Sequence, residues 1–317
     1  MNKFYIQIVF FLLSIFICVN NITLATVPTP KKKDNKTIAT VPTPKKKDNK
    51  TLATAPDIGI ARNIKPKKCW DTPKEIYEKN KDLLCTNPNE IAIAVKLMNE
   101  AARHLEHHAT CKDGYKPRRW NWELNNVLFK KKHGNTVVQK MNVKYYHVHT
   151  YNEITNILWD PALANKFNNG SVKRKIVRVY NPNLVMIEQS YKSWFGIRQK
   201  YFYALAAKFD ISEEKTIIVM TSPNINDRNS KNKKQYLNPI IENANVFKTQ
   251  INSEHDNRNG IWKKTFVNIA GYLLEKTSAY INITYLESID GHTSKYKDLI
   301  NVRNLNNFFH YHKKWLM

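Results

Sequence analysis

Glycine is scarce in this chain. There are eight in 317 residues, at positions 59, 114, 134, 170, 196, 260, 271 and 291, and no two lie closer than eleven positions. GxGxxG, GxxxxGK and GxSxG therefore cannot occur, which excludes the dinucleotide-binding turn, the P-loop and the serine-hydrolase elbow. Acidic residues are few as well, 26 against 51 Lys and Arg, for a net charge of +25. Arginine is the minor cation, 10 against 41 lysines. A reader of guanine edges would lean on the arginine fork. The excess of Lys, with 38 Asn, instead matches the A-rich codons of an AT-rich genome. After the first 25 residues no apolar run approaches the ~18 needed to span a bilayer.

What is present begins with a leader. Lys3 precedes an apolar stretch from Ile8 to Val19, and Thr23-Leu24-Ala25 offers small residues for cleavage. Residues 1–25 are predicted to be a signal peptide that sends the chain to the secretory route. A 14-residue repeat follows, with Ala25 to Ile38 recurring as Ala39 to Leu52. Its Pro and Lys leave little to bury, so residues 26–66 read as a disordered, extended tether. The tether carries +6 of the charge over 26–52, and residues 53–317 keep +18. Cys18 leaves with the leader, and Cys69, Cys85 and Cys111 remain. Three thiols in an oxidising compartment leave at least one outside any internal pair, and Cys69 with Cys85 is one possible pair.

The folded part is predicted over residues 67–317. Thr72-Pro73-Lys74-Glu75 is a capping box that starts a short helix running to about Leu84. Asn87-Pro88-Asn89-Glu90 starts a second helix to about Ala109, with Ile91, Val95, Met98, Ala102 and Leu105 on one stripe. Lys140 to Thr150 reads as a strand with Met141, Val143, Tyr145, His147 and His149 on one face. A helical pattern spans Asn152 to Phe167, broken at Asp160-Pro161. Strands follow at 172–180, 184–192, 200–208, 216–221, 264–276 and 280–289, an antiparallel meander. In the last of these Ile281, Ile283, Tyr285 and Ile289 share a face. Residues 295–316 read as a C-terminal helix rich in apolar positions. The fold class is α+β: a curved antiparallel sheet wrapping a long C-terminal helix, with room for a ligand between them.

Several strings resemble the malaria-parasite fam-a multigene family. These are Met1 to Phe16, Glu75 to Pro88, Asn169 to Met186, Gln199 to Ala207, Phe266 to Tyr272 and Glu287 to His292. The resemblance implies a START-like helix-grip fold and a secreted protein that carries a phospholipid between membranes. Phosphatidylcholine is the implied cargo, and the parasitophorous vacuole or the host cell the implied destination. It further implies a monomer that touches membranes transiently and needs no cofactor. Departures fall at Gln199, where START domains usually place an acid, and at Ala164-Asn165-Lys166, where only Lys166 can meet a phosphate. Residues expected to line the tunnel are Trp159, Phe167, Tyr191, Trp194, Tyr201, Tyr203, Tyr285, Leu299, Leu305 and Phe309.

Other chemistry is weaker. His104 and His108 stand one helical turn apart and could share zinc, but the HExxH order and a third ligand are missing. His147 and His149 read as polar lining. Asp160, Glu188, Asp210 and Asp290 form no paired-carboxylate motif, and no nucleophile has a recognisable base, so an enzyme is not expected. Tyr201-Phe202-Tyr203 could stack bases, yet no RNP-like pattern accompanies it, and nucleic acid is not expected as a partner. The second functional class is a secreted non-catalytic module that binds a host protein or an anionic membrane surface.

Overall fold

The computed structural model describes residues 71–121, 126–161, 172–191, 199–229, 236–252 and 262–290. All belong to one compact unit of the chain, residues 64–317. The leader, the repeat tether and the C-terminal helix expected at 295–316 lie outside the described residues, as does Cys69. Cys85 and Cys111 carry free thiols, and the possible Cys69–Cys85 pair involves a residue outside the described ones.

The capping box works as read. Thr72 accepts from the Glu75 amide at 3.3 Å, and Glu75 accepts from the Thr72 amide at 2.7 Å. Helix α1 is Pro73–Lys79, shorter than expected because the chain tightens into a 3-10 turn at Lys81–Leu83. Helix α2 is Pro88–Thr110, capped by Asn87, whose side chain accepts from the amides of Asn89 and Glu90. Its buried stripe is Ala94, Leu97, Met98, Ala101, Ala102, Leu105 and Ala109. Val95, expected on that stripe, is 37% exposed. Alanines let the helix sit close to what lies beneath. Its C-terminal end is tied by Lys140, whose Nζ donates to the carbonyls of His108, Ala109 and Cys111 at 3.2, 3.3 and 2.5 Å. A cation there also meets the negative end of the helix dipole.

The sheet holds β1 (Lys116–Asn121), β2 (Asn126–His133), β3 (Thr136–Tyr145), β4 (Val172–Asn181), β5 (Leu184–Tyr191), β6 (Lys200–Ser212), β7 (Lys215–Thr221), β10 (Lys263–Lys264), β11 (Phe266–Lys276) and β12 (Ile281–Asp290). The order is β1-β2-β3-β12-β11-β7-β6-β5-β4, antiparallel throughout, while β10 joins β6 in parallel. The pair β8 (Asn224–Asn226) and β9 (Lys248–Gln250) forms a separate two-stranded sheet, next to the single turn α4 (Asn243–Val246). Helix α3 (Tyr151–Trp159) follows β3. The strand expected to reach Thr150 stops at Tyr145. His147 and His149 sit in the turn into α3, with their rings 6.0 Å apart and at right angles, rather than on a strand face.

Period-two alternation sorts the side chains onto two buried faces. One face carries Val138, Met186, Tyr201, Tyr203, Leu205, Ile217, Val219, Ile269, Leu273 and Leu286 against α2 and the 236–252 segment. The other carries Met141, Val143, Ile187, Phe202, Ala204, Ile218, Ala270, Leu274, Ile281 and Ile283 beneath α3 and Ile76 of α1. The central strands β5, β6, β7, β11 and β12 are therefore largely buried on both sides and form the middle layer of the domain. Glu90 anchors α2 to β4, accepting from Arg178 Nη1 at 2.6 Å and Tyr180 Oη at 2.7 Å. Glu100 seats α4 by accepting from the amides of Glu242 and Asn243 at 2.9 and 3.0 Å.

Candidate functional site

Beneath α3 the sheet is apolar at one end and polar at the other. Tyr145, Ile281 and Leu274 lie at the α3 start, where Tyr151 Oη donates to Thr216 Oγ1 at 3.0 Å. Further along the same face stand Arg174 of β4, Gln189 and Tyr191 of β5, Tyr272 of β11, and Tyr285 and Glu287 of β12. Residues 162–171, 192–198 and 291–317 join the described strands at this same end, through Val172, Tyr191 and Asp290.

The polar residues touch one another. Arg174 Nε donates to Gln189 Oε1 at 2.6 Å. Tyr285 Oη donates to Glu287 Oε2 at 2.5 Å. The rings of Tyr272 and Tyr285 are 5.2 Å apart, and the ring of Tyr191 is 5.8 Å from Phe202. Gln189 and Glu287 are buried, while Arg174 and the three tyrosines are half-buried. Burial pushes the Tyr272 phenol up to about 12, eased by the Arg174 cation and reinforced by the Glu287 carboxylate. Burial and the Glu287 charge likewise raise Tyr285. Burial disfavours the charge on Arg174, against the phenols of Tyr272, Tyr191 and Tyr285 and the carboxylate of Asp160, which favour it. The phenols therefore stay protonated donors at neutral pH, beside one fixed cation and one buried carboxylate.

Placing an Arg and a Glu on an otherwise apolar face is costly unless they are paired or used. Here Arg174 and Glu287 are each hydrogen-bonded to a neighbour. Trp159 is 4% exposed on α3, and its Nε1 has no hydrogen-bond partner among the described residues. The set offers donors and one acceptor at the end of an apolar floor, which suits a molecule with a small polar head and a long apolar body. Among the described residues no three His, Cys, Asp or Glu could hold a metal ion.

The expected tunnel residues divide three ways. Trp159, Tyr191 and Tyr285 fall on this face. Tyr201 and Tyr203 do not: they are 0% and 2% exposed on the opposite face, under α2. Their place is set by strand parity and by partners. Tyr201 Oη donates to Asp227 Oδ2 at 2.6 Å, and Tyr203 Oη to Glu188 Oε2 at 2.9 Å. Lys264 Nζ completes that knot, 3.0 Å from Asp227 Oδ1 and 2.8 Å from the Ile225 carbonyl. Phe167, Trp194, Leu299, Leu305 and Phe309 lie outside the described residues. Arg174, Gln189, Tyr272 and Glu287 escaped the sequence reading. Glu287 shares the parity of Tyr285, which was the one signal available.

His104 and His108 also resolve. His108 is 2% exposed, with Nδ1 3.0 Å from the Tyr115 hydroxyl and its ring 5.4 Å from that of His133. It is a packed core histidine on the α2 side of the sheet.

No family model and no curated protein matches the chain. Solved structures to which the chain is similar include human StAR-related lipid transfer protein 5, at 12% identity, covering 69% of this chain and 94% of that one, with a TM-score of 0.49. Human STARD10 is similar at 12% identity over 68% of this chain and 80% of that one, TM-score 0.46. The human StarD13 (DLC2) lipid transfer and protein localization domain is similar at 15% identity over 65% and 93%, TM-score 0.39.

Proposed function

We propose that this protein is a lipid carrier of the START type: it holds one phospholipid on the face beneath α3 and moves it between membranes. The observation that carries the reading is the polar group of Arg174, Gln189, Tyr285 and Glu287 set at the end of an apolar floor. The floor replaces contact of the acyl chains with water. Two chains of ~16 carbons are worth on the order of 25 kcal/mol at ~0.8 kcal/mol per methylene. Arg174 is the group suited to a phosphate, and the rings of Tyr191, Tyr272 and Tyr285 beside Glu287 suit a quaternary ammonium. Phosphatidylcholine satisfies both.

The resemblance to the fam-a family supports the same cargo, secretion through the leader and a destination in the vacuole or host cell. Carriage needs no covalent step, so no enzymatic activity, metal or cofactor is assigned. Leu299, Leu305 and Phe309 of the C-terminal segment are assigned to sealing the site. The test is native mass spectrometry of the purified full chain. A co-purified phospholipid of defined mass is expected. A lipid-free chain that also fails to extract fluorescent phosphatidylcholine from vesicles would overturn the reading.

A further inference from the structure

Residues 112–133 hold seven Lys and Arg against two acids, a net charge of +5. They make the β1–β2 hairpin, at the free end of the sheet. Register places some of these charges. Lys116 lies directly opposite Lys130, Lys130 opposite Gln139, and Gln139 opposite Glu287. One cross-strand row thus leads from the hairpin rim to the polar site, all on one face. In the next row Lys132 is opposite Val137, which is 47% exposed. Lys116 and Lys132 are exposed and Lys130 is half-buried.

Like charges directly opposite each other weaken a sheet. Lysines on an edge strand are a common guard against strand pairing. That explains Lys116 on β1, but not Lys132 on β2, which is paired on both sides. The three ammonium groups rise from neighbouring positions ~5–7 Å apart, inside one Debye length of ~10 Å at 0.1 M salt, so they act together. An exposed valine among them suits a partner that is anionic at its surface and apolar beneath.

We propose that the β1–β2 hairpin docks this protein onto membranes containing acidic phospholipid, with Lys116, Lys130 and Lys132 as the contacting cations. The assignment rests on the carrier reading for its purpose, since it would bring the polar site up to the bilayer. The two can fail separately, because docking is read from vesicle binding and cargo from the mass spectrum.

The test uses the full chain with vesicles of phosphatidylcholine alone and with phosphatidylserine added. Binding is expected on the second only, and to weaken as salt rises. Lys116→Glu, Lys130→Glu and Lys132→Glu together should reduce partitioning roughly hundredfold, at about fivefold per lysine. If that variant melts early, the Lys→Gln set replaces it, with a loss of at least about tenfold expected. Unchanged vesicle binding by either folded variant overturns the proposal and moves the contact to the repeat at 26–52. So does a variant that loses affinity for single-stranded RNA while keeping it for acidic vesicles.

Discussion

The Cδ1 methyl of Leu105 lies 2.7 Å from where a Cβ on Gly271 would stand, so α2 rests against β11 at the one point where the strand has no side chain. The same Cβ would meet the Ile218 carbonyl oxygen at 2.0 Å, and the φ of Gly271 is +153°, a conformation open to glycine alone. Gly271→Ala is expected to lower stability by about 3 kcal/mol or more, from overpacking and backbone strain together. Urea unfolding of the two proteins measures it. A change under ~1 kcal/mol would mean that α2 can lift away without cost.

The buried knot under α2 gives a second expectation. Asp227→Asn leaves Lys264 buried beside Tyr203 and Phe266 without its counter-charge, at a cost of about 3–5 kcal/mol. The double variant with Lys264→Met removes both charges and should recover most of the loss. Equal melting points for the single and double variants would contradict the pairing.

Stability should also fall in mild acid. Burial, followed by the neighbouring His133, His107, Lys131 and His104, depresses His108 from 6.5 to about 4. The unfolded chain therefore binds a proton that the folded one refuses. The contribution of the neutral ring is complete above pH 6.5 and is lost as pH falls towards 4, on the order of 3 kcal/mol in all. His108→Phe should flatten the dependence of unfolding free energy on pH over that window. An unchanged slope would assign the acid sensitivity elsewhere.

At the candidate site, Arg174→Met should strip the lipid that co-purifies with the chain, by at least about tenfold in occupancy, if the guanidinium meets a phosphate. Tyr272→Phe keeps the ring and should change occupancy by less than about threefold. The reverse ranking would make Tyr272, not Arg174, the anchor. Melting curves of both variants check that the sheet survives.

The sequence carried the sheet better than the site. Strands at 172–181, 184–191, 215–221 and 281–290 follow their β-branched runs almost to the residue. The strand at 126–133 was missed, because Lys130-Lys131-Lys132 hides its alternation. Parity within a strand is legible, but which face meets which helix is not, so the sequence could not tell that Tyr201 and Tyr203 lie under α2 while Tyr191 and Tyr285 lie on the other face. Arg174 lies within the cationic run Lys173-Arg174-Lys175, and Glu287 stands more than a hundred residues away. Only the order of strands between β4 and β12 brings them to one end of one face.

That order has a consequence in time. Among the described strands, β1 to β3 join the rest of the sheet through β12, a seam marked by Thr136 and Ser288, 152 residues apart and bonded at 2.8 Å. During synthesis, at about 5–20 residues per second, the N-terminal hairpins wait roughly ten seconds or more for their neighbour to be made. Until then β3 presents an open edge and α2 covers a sheet that lacks its middle. A chain truncated before residue 281 should therefore be captured by chaperones rather than fold as a smaller domain.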